Sequence, residues 1–193
     1  MKTSHIVSFI GSAQRPSKTR ELARLLCDSV AARGDFTCHA YDLLDFQEIL
    51  PAFRREEISA HGERLLQEIE RADALIVGSP THKGSYPGQF KHVFDLIDPA
   101  RLAEKPVALV ATGGGPRHSL MIEHQLRPLF GFFCAMTVPT AVYACQEDFD
   151  ANGKLAASTV ERLGRLANEL HIAISSKAAA PSLARESADA AFA

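Results

Sequence analysis

The sequence predicts one α/β domain: a five-stranded parallel sheet in the order 2-1-3-4-5, covered by helices on both faces as a three-layer sandwich. Short apolar runs alternate with segments of helical period along most of the 193 residues, which is typical of parallel sheets. The second and fifth strands carry features of sheet edges, which favours this order over a six-stranded one. The chain is long enough to form a single core, and 46% of its residues are hydrophobic, as in ordinary globular proteins.

The first strand and helix lie near the amino terminus. Residues 5–10 form an apolar run rich in β-branched residues, and Gly11 closes it, as expected of a buried strand. Apolar residues then recur at helical spacing from Leu22 to Val30. Gly34 is placed for a left-handed cap at the end of this helix.

The next segment carries the second strand, the second helix and the third strand. Apolar and polar residues alternate over 36–41, which predicts an edge strand with one wetter face. Residues 42–58 show no clear period. Apolar residues within 65–69 indicate a helix, and the continuous apolar run 74–77 predicts a strand buried on both faces. Gly, Ser and Pro at 78–80 end that strand.

A third helix and a fourth strand follow. Pro87 is placed to open the helix, and four apolar residues have the spacing of a face turned to a core. Residues 106–111 predict another central strand, after which the chain has three consecutive glycines at 113–115. The apolar face of the helix consists of Phe90, Val93, Phe94 and Ile97.

The last third of the chain completes the fold. A segment of helical period contains Pro128, which predicts a kink. Residues 136–144 predict the fifth strand, and because Pro139 cannot donate to a ladder, that strand belongs at a sheet edge. Apolar residues from Leu155 through Val160 to Ile174 predict a closing helix.

These elements set the domain boundary and the expected binding edge. Residues 1–176 form the predicted domain, and the Ala- and Ser-rich residues 177–193 predict a mobile tail. The strand order is the flavodoxin-like one, in which ligands bind beyond the carboxyl ends of the strands where the winding reverses. Three loops meet that condition: residues 11–19, 80–86 and 112–118.

Charge and composition exclude several classes of function. The formal net charge is −2, and Arg54-Arg55 is followed at once by two glutamates, so the basic stripe of a nucleic-acid binder is missing. No apolar stretch approaches the ~18 residues of a membrane span, and the first residues do not form a signal peptide. We therefore expect neither nucleic acid nor membrane as a partner, and a cytoplasmic location.

Cysteines and histidines carry no metal signature in the sequence. The four cysteines contain no CxxC and lie in apolar runs, where small buried thiols fit. Five histidines show no ligand spacing, so no metal site is predicted. The cysteines are Cys27, Cys38, Cys134 and Cys145. The histidines are His5, His39, His61, His92 and His171.

The first loop, residues 11–19, has the composition of a phosphate site. It joins a strand to a helix, where unpaired backbone N–H groups and the positive end of the helix dipole favour an anion. It contains neither a Walker sequence nor the GxGxxG dinucleotide signature. The alternative is that Ser17 only caps the helix. The candidate phosphate contacts are Ser12, Arg15, Ser17, Lys18 and Thr19.

The second and third loops could hold a planar ring. The second loop has glycines and prolines that shape a backbone-presenting turn, and Tyr86 could stack on a flat ring, although a solvated connector is an alternative interpretation. The third loop lets a ligand approach the main chain at a helix start. The candidates in the second loop are Pro80, Thr81, His82, Lys83, Gly84, Ser85 and Tyr86. Those in the third are Thr112, Gly113, Gly114, Gly115 and His118.

A phosphate at the first loop and a ring between the other two describe flavin mononucleotide (FMN). Here the sequence resembles the NAD(P)H-dependent FMN reductases, and within them the branch that supplies reduced flavin to alkanesulfonate and methanesulfonate monooxygenases. The resemblance covers about residues 5–175. It rests on GSAQRPSKT (11–19), ADALIVGSPTHKGSYPGQFKHVFDLI (72–97) and VALVATGGGPRHSLMIEHQLRPLF (107–130).

The resemblance implies FMN phosphate contacts in the first loop and isoalloxazine contacts in the other two, at the candidates named above. One departure is that the family usually has arginine where this chain has Gln14, with Arg15 next. His124 occupies the place where sulfonate-type reductases carry a residue, often tyrosine, in a widened helical turn at a subunit interface near flavin. A packed or surface histidine is the alternative interpretation of His124.

The implied activity is hydride transfer from NAD(P)H to FMN, with a flavin-dependent monooxygenase as a possible recipient. Because the cofactors carry this chemistry, no catalytic acid, base or nucleophile is assigned. The alternatives are a quinone, chromate or azo reductase with retained FMN, and a non-enzymatic flavodoxin-like electron carrier. The absence of Trp favours an open ring face and therefore a reductase. Phe130, Phe132 and Phe133 give the Pro-containing helix excess apolar surface, which predicts a homodimer or homotetramer.

Overall fold

The computed structural model describes residues 3–179 and confirms the predicted fold class. All neighbouring strands are parallel, and their order in the sheet is β2-β1-β3-β4-β5, with β6 also paired to β4. The strands are β1 (Ser4–Ile10), β2 (Phe36–Asp42), β3 (Ala74–Pro80), β4 (Pro106–Gly113), β5 (Met136–Thr137) and β6 (Val142–Cys145). The helices are α1 (Lys18–Ala31), α2 (Ala60–Arg71), α3 (Gly88–Asp95), α4 (Arg127–Phe132) and α5 (Ala157–Ala179).

The sheet separates two cores because successive strand residues point to opposite faces. On β1, Val7 and Phe9 belong to one core with residues of α2, α3 and α4, and Ile6 and Ile10 belong to the other with residues of α1 and α5. The apolar face predicted for α3 is buried in the first core. Both faces of the central strands are therefore covered, as their continuous apolar runs predict.

The predicted fifth strand is two short strands rather than one. Thr137 pairs with Val107 and Val142 pairs with Val110, so the chain between the two pairs carries two residues more than β4 does. Pro139 lies in this interruption and has no N–H for the ladder. The prediction of a continuous strand over 136–144 was wrong, although both pieces pair with β4 at one edge of the sheet.

Three smaller expectations also change. Gly34 does not cap α1, which ends on Ala32 in a right-handed conformation (φ −69°). Val160 is 50% exposed and not part of the core face of α5. The segment 42–58, for which the sequence had no period, packs Leu43 and other apolar side chains into the first core between short 3₁₀ turns.

The kink expected from Pro128 takes the form of a π-helical turn over Ile122–Leu126. The Arg127 N–H bonds to the Ile122 carbonyl, five residues earlier. Pro128 follows directly as the second residue of α4 and has no N–H to donate to the preceding turn. The helix is thus widened before the proline rather than simply bent at it.

The cysteines divide into a pair and two free thiols. Cys27 on α1 and Cys38 on β2 form a disulfide, with Cα atoms 6.3 Å apart. Cys145 is buried, whereas Cys134 is exposed. The expectation of four small buried thiols was therefore wrong for all but Cys145: α1 packs on β2 in the second core and brings Cys27 to Cys38, and Cys134 lies at the surface.

Lys105 is a buried charge at the end of the sheet opposite the candidate loops. Its Nζ donates to the carbonyls of Ile69 (3.3 Å), Glu70 (2.8 Å) and Ala72 (2.5 Å), which are at the carboxyl end of α2. Lys105 is only 5% exposed. Burial lowers its pKa to about 8.

Helix α5 extends to Ala179, three residues past the predicted domain boundary. Lys177 donates to the Glu104 carbonyl at 2.9 Å. Residues 180–193 lie outside the described residues, and the mobile tail stays a prediction. Among residues 3–179, no helix combines the length and apolar composition needed to cross a bilayer.

Candidate functional site

The three predicted loops meet at the carboxyl edge of the sheet. The Gly11 N–H bonds to the Gly78 carbonyl at 2.7 Å, which ties the first loop to β3. The Thr81 N–H bonds to the Thr112 carbonyl at 2.7 Å, which ties the second loop to the third. The hydroxyls of Thr19 and Thr112 are 2.6 Å apart in a buried pair that ties the first loop to the third. These hydrogen bonds join the three loops into one continuous surface.

The first loop ends at the amino terminus of α1. Ser17 is the N-cap, and its Oγ accepts from the Arg20 N–H at 3.3 Å. The N–H groups of Lys18 and Thr19, the first two residues of α1, have no preceding turn to donate to. Together with the helix dipole they form an anion-binding end. The bond preceding Pro16 is cis.

Arg15 is held by two aspartates at the end of β2. Its Nε and Nη2 donate to Asp42 at 2.7 and 2.8 Å, and Nη2 also donates to Asp45 at 2.7 Å. Hydrogen bonds to these carboxylates raise the pKa of Arg15. Burial would raise the pKa of Asp45, but the hydrogen bond from Arg15 lowers it below its ordinary value. Arg15 therefore fixes the loop, and its part in holding phosphate stays a prediction.

The other phosphate candidates have different surroundings. Ser12 is buried, and its Oγ lies 3.3 Å from the Gln14 nitrogen. Lys18 reaches away from the loop, because its Nζ donates to Gln146 Oε1 at 2.6 Å and lies 5.0 Å from the Phe149 ring centroid. A phosphate contact from Lys18 needs a different side-chain rotamer, whereas its backbone N–H already belongs to the helix end.

The second loop is a tight turn linked to the π-helical segment. His82 and Ser85 exchange backbone hydrogen bonds of 2.7 and 3.1 Å. The two residues between them, Lys83 and Gly84, have φ of 52° and 89°, the left-handed region that such two-residue turns require. Ser85 Oγ donates to Gln125 Oε1 at 3.2 Å. Both Pro80, at the end of β3, and Tyr86 are half-buried.

The third loop is shaped by Tyr143 on β6. The Tyr143 hydroxyl donates to the Gly115 carbonyl at 2.7 Å and covers Gly113 so closely that a Cβ there would lie 2.1 Å from it. A Cβ at Gly114 or Gly115 would meet no atom within 4 Å, so this stretch of backbone faces open space. Beside it, Thr81 Oγ1 is buried without a hydrogen-bond partner among the described residues.

Two histidines flank this surface. His118 ends the short 3₁₀ turn Pro116–His118 and is exposed. His124 lies inside the π-helical turn and is exposed as well. The widened turn implied by the resemblance is therefore present at the residue for which it was expected.

Sequence reasoning missed the residues that support the loops from other elements. Asp42 is fully buried in its side chain and also accepts from Arg20 Nη1 at 2.6 Å. The Tyr143 hydroxyl leaves no room for a Cβ at position 113, so only glycine fits there. A signal for Asp42 was its position at the end of the second strand, at the same edge of the sheet as the loops. No comparable signal pointed to Tyr143.

The residues fit a flavin mononucleotide. The free N–H groups at the start of α1, with Ser12 and Ser17 beside them, suit a phosphate dianion. The open backbone at Gly114 and Gly115 lets a flat ring approach, and the buried Thr81 hydroxyl, which has no hydrogen-bond partner among the described residues, lies beside this backbone. Tyr86 lies against Phe90, with ring centroids 5.3 Å apart, beside the second loop.

Comparisons with known proteins identify the family of the chain. The family described as NADPH-dependent FMN reductase matches residues 4–150. The chain is 44% identical over 165 residues to the NADH-dependent FMN reductase SfnF of Pseudomonas fluorescens, covering 85% of this chain and 88% of that protein. It is 42% identical over 165 residues to an FMN reductase (NADPH) of Pseudomonas aeruginosa, with the same coverage of both chains.

The solved structures agree on the fold. An oxidoreductase from Corynebacterium diphtheriae superposes with a TM-score of 0.77 at 29% identity, covering 91% of this chain and 99% of that one.

Proposed function

Because the chain belongs to the NADPH-dependent FMN reductase family, we propose that it binds FMN where its three loops meet and reduces it with NADH or NADPH. The observation that carries this proposal is the junction of the loops at the amino terminus of α1, through the Thr19–Thr112 and Thr81–Thr112 contacts. The chain is an oxidoreductase by family, and FMN and NAD(P)H are its cofactors.

In this proposal the first loop binds the phosphate. The N–H groups of Lys18 and Thr19 donate to it, and Ser12 and Ser17 add hydroxyl donors. Arg15, whose charge is offset by Asp42 and Asp45, holds the loop in place and offers its remaining N–H groups. Each of these groups is already placed by backbone or side-chain bonds, so little conformational entropy is lost when the anion binds.

The second and third loops, residues 80–86 and 112–118, hold the ring. The bound flavin supplies the hydride-accepting chemistry, so the chain needs no acid, base or nucleophile of its own. Backbone N–H groups of residues 113–115 stabilise negative charge at one edge of the ring. With no Trp in the chain and Tyr86 packed on Phe90, one face of the ring stays open for the nicotinamide.

We extend the proposal to the fate of the product. An open ring face and a phosphate held mainly by backbone groups suit an FMN that leaves after reduction, and reduced FMN then passes to a flavin-dependent monooxygenase of the sulfonate-utilising type. The NADH or NADPH donor is a product of central metabolism, and we propose that the enzyme works where this donor is made, in the cytoplasm. The relatives named above use NADH in one case and NADPH in the other, so either donor fits.

The proposal includes assembly of at least two copies. Phe130 and Phe133 are buried in the core, but Phe132 is 69% exposed and Leu120 is 60% exposed on the same helical segment. Exposed large apolar side chains beside the π-helical turn favour a homodimer or homotetramer that covers them. His124 would then lie near the interface and the flavin.

The deciding experiment is anaerobic steady-state oxidation of NADH and NADPH with FMN, FAD or riboflavin in excess. A rate that saturates with added FMN and exceeds the rate with riboflavin supports a reductase that uses FMN as substrate. A rate independent of added flavin but dependent on benzoquinone would instead indicate retained FMN and a quinone reductase. No oxidation with any acceptor would leave a flavin carrier and refute the proposal.

A further inference from the structure

Two histidines and a glutamate form a cluster on the face of the sheet covered by α2. His5 lies on β1, His39 on the neighbouring strand β2, and Glu68 on α2. The parallel register pairs Val7 with His39, so the two histidines occupy the same face two positions apart. The sequence showed no ligand spacing because 34 residues separate the histidines and only strand pairing unites them.

The three side chains direct their ligand atoms at one another. His5 Nε2 is 3.3 Å from Glu68 Oε2, and His39 Nδ1 is 3.6 Å from the same oxygen. The three ligand atoms all lie within 4.8 Å of one another. In a tetrahedral zinc site, bonds of about 2.1 Å separate neighbouring ligand atoms by about 3.4 Å. Both His–Glu distances match that separation. The two histidine nitrogens lie within 4.8 Å of each other, so they need to approach by at most about 1.4 Å to reach it.

The surroundings of His5 are those of a metal ligand. Its Nδ1 lies 3.4 Å from the Thr37 hydroxyl, so this nitrogen has a polar partner while Nε2 faces the cluster. A hydrogen-bond partner on the ring nitrogen that does not bind the metal fixes the orientation of a histidine ligand. His5 and Glu68 are half-buried, with 28% and 39% of their side-chain surface exposed, and His39 is 55% exposed. Ions and water therefore reach the cluster from solvent.

We propose that His5, His39 and Glu68 bind one Zn²⁺ ion, with water completing the coordination. Two imidazole nitrogens and one carboxylate oxygen form a donor set suited to zinc. The ion ties the edge strand β2 to β1 and to α2, so it stabilises the sheet edge.

This site is separate from the flavin site. His5 is the second residue of β1, and the phosphate-binding loop begins after its last residue, Ile10. Five residues of strand span about 16 Å. Zinc binding therefore leaves FMN binding unchanged, and failure of either proposal can be recognised independently of the other.

The test is zinc titration of untagged protein that has been stripped with EDTA and dialysed. Competition against a chromophoric chelator measures affinity, and Co²⁺ absorption reports the nitrogen and oxygen donors. His39→Ala and Glu68→Gln should each weaken Zn²⁺ at least tenfold. Both side chains are partly exposed, so far-ultraviolet circular dichroism should show an intact fold. The matched control is His61→Ala, since His61 Nε2 lies 3.6 Å from Glu48 at the surface, outside the cluster.

The expected result is one Zn²⁺ per chain, a higher Tm with zinc for wild type and His61→Ala, and no such rise for His39→Ala. No zinc binding at millimolar concentration overturns the proposal. Equal affinity of wild type and His39→Ala overturns it too, because the ion would then be held by other groups such as thiols.

Discussion

Ser17→Ala is the sharpest test of the proposed phosphate site, because Ser17 is both the N-cap of α1 and a proposed phosphate contact. As N-cap of α1, its Oγ accepts from the Arg20 N–H at 3.3 Å. As a phosphate contact, the same hydroxyl donates its proton to an FMN phosphate oxygen, which one hydroxyl can do while accepting elsewhere. The substitution removes both interactions.

The two losses have different readouts. Loss of the cap should lower the free energy of unfolding by about 1 kcal/mol. Loss of a charge-assisted bond to the phosphate should weaken FMN binding by about 1 kcal/mol, or about fivefold in Kd. Binding of riboflavin, which has no phosphate, should not change. Urea denaturation measures the first quantity, and fluorescence titration with the two flavins measures the second.

Ser59→Ala is the matched control. Ser59 caps α2, where its Oγ accepts from the Gly62 N–H at 3.0 Å, far from the three loops. This variant should lose a similar free energy of unfolding and keep the FMN-to-riboflavin ratio of wild type. Equal weakening of both flavins by Ser17→Ala, or the same change of ratio in Ser59→Ala, would refute the phosphate assignment.

Three further predictions address the glycine loop, the buried lysine and the oligomer. Gly113→Ala should cost about 1 to 3 kcal/mol of unfolding free energy and weaken FMN binding, because the added methyl would lie 2.1 Å from the Tyr143 hydroxyl. Gly114→Ala meets open space and should change neither quantity. Denaturation and flavin titration of both variants measure this, and equal behaviour of the two would contradict it. Burial lowers the pKa of Lys105 from 10.5 to about 8, so the unfolded chain binds more protons than the folded one between these pH values, and stability rises with pH there. Urea unfolding should show that the wild type gains about 2 kcal/mol of unfolding free energy from pH 7.5 to 9.5 relative to Lys105→Met. Parallel changes in the two proteins would argue against this. Phe132→Asp should reduce the sedimenting mass to that of a 21.0 kDa monomer. The control Phe53→Asp changes a phenylalanine that is 90% exposed on another part of the surface, and it should leave the assembly intact. A monomeric wild type would disprove the oligomer.

Much of the fold could be predicted because its signals are local. Runs such as 74–77 and 106–111 are apolar on both faces and short, which already specifies a covered parallel strand. The strand over 136–144 shows the limit of such signals. Its apolar character was visible, but the two extra residues around Pro139 become evident only against the register of β4.

The site divides in the same way. Loop composition was enough to predict a phosphate site at Ser17 and to find the glycine-rich stretch at 113–115. It could not show that Arg15 is already engaged by Asp42, or that the Lys18 side chain turns toward Gln146. Side chains of this length have many rotamers, and their partners come from elements whose positions the local pattern does not specify.

The sequence by itself determined the order of strands and helices, the edge of the sheet at which the three candidate loops meet, and the residue types offered there. These follow from hydrophobic period and from glycine and proline, which act within a few residues. Only the tertiary structure decided which side chains meet: Thr19 with Thr112, 93 residues apart, Tyr143 over Gly113, and His5 with His39 and Glu68. Such contacts depend on strand register and helix packing, which bring distant parts of the chain within a few ångströms, and no local pattern encodes them.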